Sequence, residues 1–96
     1  MLFHMTHTHA AQNCPAHNPE TLKMLATLVQ SAEGKGVRVH SLHVAPWEHT
    51  FYGVLEADSA ESLEQFMDPM LELGTAQITP VTDVLATIEQ RLKGTW

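Results

Sequence analysis

Apolar residues recur at every second position in some stretches of this chain and at every third or fourth in others, and each change of period falls on capping or turn residues. That pattern restricts the fold more than any composition figure does. Leu2 to His9 lacks Gly and Pro and alternates as a strand must, with Phe3, Met5, His7 and His9 on one face and Leu2, His4, Thr6 and Thr8 on the other. Thr, Met and Phe interrupt its histidines, so the segment is taken as native sequence and not an affinity tag. Ala10 to His17 has no period and reads as a loop. Asn18-Pro19-Glu20 then opens a helix with a side-chain cap, a proline whose missing N–H costs nothing there, and a carboxylate in the first turn. Leu22, Leu25, Ala26, Leu28, Val29 and Ala32 form its apolar stripe, and Gly34 and Gly36 close it. Val37 to Val44 and His49 to Ala57 are β-rich and flank Ala45-Pro46-Trp47-Glu48, the spacing of an antiparallel hairpin. Asp58 with Glu61 supplies a cap and capping-box partner for a second helix. That helix carries Leu63, Phe66, Met67, Met70 and Leu71, and Pro69 is expected to kink or end it. Thr75 to Thr79, extending toward Thr82, gives a fourth strand; Val84, Leu85, Ile88 and Leu92 mark a short terminal helix before Gly94.

The order βαββαβ with an added helix defines an α+β, ferredoxin-like chain: an antiparallel four-stranded sheet, its first and third strands central, with both main helices on one face. Neither hairpin strand shows a single apolar face. Val37 and Val39 alternate against Leu42 and Val44, and Tyr52 and Val54 against Phe51 and Leu55. A bare sheet face carrying such residues needs a cover, and a second copy docked sheet to sheet supplies one. In element order and length the chain resembles the dimeric α+β-barrel superfamily, small proteins that include antibiotic-biosynthesis-type monooxygenases and haem-degrading enzymes. The resemblance covers nearly the whole chain and implies a homodimeric barrel.

Composition narrows the function classes. At 96 residues a single domain, 1–96, is expected, and 44% hydrophobic with 17% charged residues suits a packed core. Eleven acidic against five basic side chains give a net charge of -6, so no basic field exists for nucleic acid or an anionic membrane. No apolar run reaches the length of a membrane span or a secretory h-region, and the lone Cys14 cannot form an internal disulfide, so a cytoplasmic protein is expected. No phosphate-binding glycine loop, nucleophile elbow or dinucleotide fingerprint is present.

The seven histidines outnumber all Lys and Arg together, and they carry the functional signal. His4, His7, His9, Cys14 and His17 crowd the first strand and the loop after it. His7 and His9 form an H-x-H pair on one strand face, with Cα atoms about 6.6–6.8 Å apart, so both imidazoles can turn toward one ion. Cys14 and His17, at C-x2-H spacing in the loop, can close the site, whereas His4 points to the other face. If Ala45 to Glu48 is the turn, Val44 pairs with His49 and His43 with Thr50. His49 then shares a face with His40, and it is chosen to complete the site because its strand begins near the end of the first.

A donor set of imidazole and thiolate makes zinc the first choice of ion, with nickel, copper and iron next. The chain is therefore expected to be a small homodimeric metal-binding protein whose ion is held mainly by His7 and His9, with help from His17, His49 or Cys14. The ion either is simply bound or activates a water or substrate. Two rivals stand beside it. One is a monooxygenase- or isomerase-like enzyme whose cavity histidines are acid/base groups; the other is a small-ligand or haem-binding module. Trp47 is expected to pack at the hairpin tip, Glu48 to be an exposed turn carboxylate, and Met67 and Met70 to be core.

Overall fold

A computed structural model describes residues 1–94; Thr95 and Trp96, the last two residues of the expected domain, lie outside the described residues. Seven principal elements follow one another: β1 (Leu2–His9), α1 (Pro19–Gln30), β2 (Val37–Ala45), β3 (Thr50–Ala57), α2 (Ala60–Leu71), β4 (Gly74–Val81) and α3 (Val84–Leu92). The strands form one antiparallel sheet in the order β2-β3-β1-β4, so β1 and β3 are central and the ferredoxin-like arrangement holds. Between β1 and α1 the chain makes two short 3-10 turns, Ala11–Asn13 and Pro15–His17.

Capping follows local chemistry. The Asn18 side chain accepts from Thr21 N at 3.2 Å and Pro19 takes the first helical position of α1, as the sequence requires. The cap of α2 is Ser59, which accepts from Ser62 N at 3.1 Å, not the expected Asp58. Pro69 stays inside α2, which ends two residues later. Pro80 is accommodated because β4 is an edge strand, where a missing N–H breaks no ladder.

The hairpin differs from the alternation read in the sequence. Val39 pairs with Leu55 and Ser41 with Val54, which leaves His40 as the extra residue of a bulge. One inserted residue reverses the side-chain alternation beyond it, so Leu42 and Val44 join Val37 and Val39 on a single face. That face is shared with Phe3, Met5, His7, Phe51 and Leu55 and lies under the helices. The uncovered face is correspondingly more polar, with Thr6, Thr8, Ser41, Gln77 and Thr79 among Leu2, Tyr52, Val54 and Val81. The turn also shifts along the chain by one position: Ala45 pairs with Thr50 and Val44 with Phe51, so each partner lies two residues from the expected one. Pro46–Glu48 form a 3-10 turn closed by His49 N to Pro46 O at 3.2 Å, with His49 in the left-handed region at φ 52°.

The core is built mainly by α2. Leu63, Phe66, Met67 and Met70 pack on Phe3, Met5, Val37 and Leu55, while α1 contributes one fully buried side chain, Leu28. Leu25 packs part-buried against this core, while Leu22, Ala26 and Val29 stay exposed, and α3 buries nothing among the described residues.

Candidate metal centre

His7 and His9 occupy the helix-facing side of β1 as its alternation dictates, 0% and 4% exposed. Their ring centroids lie 6.2 Å apart. His7 Nε2 sits 2.7 Å from the Met70 carbonyl at the end of α2. A carbonyl can only accept, so Nε2 carries the proton and Nδ1 presents its lone pair, which has no partner. His9 is more exceptional, because neither of its ring nitrogens has a hydrogen-bond partner and both are buried.

His49 reaches His9 through the turn geometry. Its left-handed backbone removes it from the strand alternation, its carbonyl accepts from His9 N at 3.0 Å, and the two rings meet edge to face at 5.2 Å. His49 Nδ1 is likewise buried and unpartnered. The paired 3-10 turns after β1 fold Cys14 back over the same strand end. The result is a group of three, His9, Cys14 and His49, whose ligand atoms all lie within 4.8 Å of one another. Bonds of about 2.0–2.3 Å to one tetrahedral ion place nitrogen and sulfur donors about 3.4–3.6 Å apart, so side-chain rotation of roughly an ångström closes the group. His7 and His17 lie outside it; His17 is exposed on the wall of the adjoining cavity, and His4 points to the opposite sheet face as expected.

Burial is the first cause holding the His9 pKa below the ordinary histidine value, with the neighbouring His49 and then His7 adding to it. At neutral pH His9 is therefore an unprotonated ring with an open lone pair, the form that coordinates a metal. Elsewhere, His40 Nε2 contacts Glu56 Oε1 at 2.7 Å, and this hydrogen bond is the main cause lowering the Glu56 carboxyl pKa. Glu48 accepts from the Tyr52 hydroxyl at 2.8 Å, and Trp47 stands fully in solvent instead of packing at the hairpin tip as expected. Met67 and Met70 are core residues as expected. Sequence spacing pointed to the H-x-H pair and to Cys14 and His49, but nothing in it distinguished His9 from His7; the Met70 carbonyl, from a distant helix, engages His7, while His49 and Cys14 gather on His9.

Comparison with known proteins agrees on the fold. Residues 1–93 match the family described as a domain of unknown function, DUF3303, and the chain belongs to that family. No curated protein matches it. Among solved structures it is similar to SCO4226 from Streptomyces coelicolor A3(2), at TM-score 0.54 and 13% identity over 84% of this chain and 99% of that one. It is also similar to a protein of Deinococcus radiodurans R1 provisionally assigned as a transposase, at TM-score 0.52 and 13% identity over 99% of this chain and 90% of that one. Such identities establish a shared fold alone. Among the described residues no helix is long and apolar enough to cross a membrane.

Proposed function

We propose that this chain is a small metal-binding protein that holds one transition-metal ion, zinc first, through His9, Cys14 and His49. The observation that carries this is His9. A buried imidazole with two unpartnered nitrogens costs about 1–3 kcal/mol for each unsatisfied group, and an ion shared with a thiol and a second imidazole removes that cost for one of the two. Three protein ligands leave the fourth tetrahedral position for water or a ligand, the arrangement of reactive rather than purely structural zinc. The protein works as a homodimer, joined through the sheet face that carries no helix. A lone cysteine among imidazoles suits the reducing cytoplasm.

The test is elemental analysis of protein purified without an affinity tag and then reconstituted with zinc. About one ion per chain is expected, with His9→Ala losing it and His4→Ala retaining it. No bound zinc, nickel, copper or iron in the reconstituted wild type overturns the proposal. In that case the lowered pKa of His9 beside an apolar cavity favours the second reading, an enzyme in which a neutral imidazole abstracts or relays a proton.

A further inference from the structure

His9, Cys14 and His49 all line one wall of a cavity of 560 Å³ between α1 and the β2–β3 hairpin. The rest of the lining is apolar, with Leu22, Leu25 and Val29 from α1 and Leu42, Val44 and Phe51 from the sheet. The size lies within the range of small-molecule sites, about 300–1,000 Å³, and an apolar lining around a few convergent polar groups is their usual composition.

The charge balance says what head group fits. A divalent ion with one thiolate and two neutral imidazoles leaves a single positive charge, and among the described residues no Lys, Arg, Asp or Glu lines the cavity. An isolated charge in an apolar space is strongly unfavourable, and one anionic donor on the open position neutralises it. A dianion overshoots, and a neutral ligand leaves the charge standing.

We propose that the cavity binds an apolar small molecule carrying a single carboxylate, whose oxygen takes the open position on the ion while its hydrocarbon part fills the space between α1 and the hairpin. This rests on the metal assignment above. Leu22 and Val44 are 45% and 52% exposed, so each keeps one side in water while the other forms the cavity rim. A glutamate at either position reaches solvent without unfolding the chain yet sets a like charge beside the carboxylate's path.

The experiment uses the protein loaded with cobalt(II), whose thiolate charge-transfer band reports Cys14 and whose d–d absorption reports the open position. Octanoate is expected to saturate and shift the d–d band, and to do so at a concentration lower than acetate by about tenfold or more, because its additional methylenes are buried. Leu22→Glu and Val44→Glu are each expected to weaken octanoate by about tenfold while leaving the cobalt content and thiolate band unchanged. Octanoate no better than acetate overturns the proposal and leaves the metal site standing, as does octanoate binding equally to metal-free protein without moving the d–d band. Absence of the thiolate band before any carboxylate is added overturns the metal assignment itself.

Discussion

At the scale of single residues the chain contains one side chain whose native position is unfavourable unless something binds it. His9 is desolvated, carries two unpartnered ring nitrogens, and lies beside two other imidazoles. If His9 binds the proposed ion, function and stability are opposed there. His9→Leu is expected to abolish metal binding yet raise the stability of the metal-free protein by about 1 kcal/mol or more, measured by denaturant unfolding. The pH dependence carries the same signature. The folded-state pKa of His9 is lowered, so between that value and the unfolded value of 6.5 the unfolded chain binds a proton that the folded chain does not. Metal-free stability should then fall as pH drops through about 6.5, by at most about 1.4 kcal/mol per unit for this one group, and the His9→Leu variant should lose that part of the slope. An identical slope in both proteins between about pH 7 and 5 would remove His9 as its source. The sequence made His7 and His9 equivalent, since strand alternation gives both the same face. What separates them is the Met70 carbonyl, which engages His7 from an element sixty residues away that no local pattern could place beside β1, and the gathering of His49 and Cys14 on His9.

At the scale of elements, the periods of the sequence located every strand and helix, and the errors came from single residues that interrupt a period. His40 adds one residue to β2 and gathers Val37, Val39, Leu42 and Val44 onto one face, which strict alternation had divided between two. The left-handed His49 moves the turn by one position, so His49 reaches His9 from a turn and not from the strand register first assumed for it. Both are backbone events with no composition signal of their own. A third, at Gly74, controls the end of β1 where the site is built. A Cβ there would collide with the Thr8 carbonyl and the His9 Cα, main-chain atoms that cannot step aside as a side chain can. Gly74→Ala is expected to destabilise the protein by about 1–3 kcal/mol, lowering the thermal midpoint by several degrees. An unchanged midpoint would mean that β4 does not press on β1 as closely as the structure has it.

At the scale of the whole molecule, one helix leaves its apolar residues in solvent among the described residues. Val84, Leu85, Ile88 and Leu92 of α3 are 47% to 82% exposed and fall at helical spacing on one stripe, beside a sheet face that no helix covers. A second copy that covers both the sheet and this stripe accounts for them, and sedimentation at micromolar concentration is expected to give twice the chain mass. Leu85→Glu combined with Ile88→Glu should shift that toward the monomer, and a wild-type monomer would set the dimer aside. The topology has a consequence for how the chain reaches its fold. β1, the first strand made, sits at the centre of the sheet and is enclosed by β3 and by β4, where Leu2 pairs with Val81. Contacts of such sequence separation require large loops to close before they stabilise anything, which makes folding slow relative to helical chains of this size. His9 has Gly74 against it on one side and His49 bonded to it on the other, but the three proposed ligands all fall between residues 9 and 49, so an ion captured there would report the pairing of β1 with β3 before β4 need close the sheet.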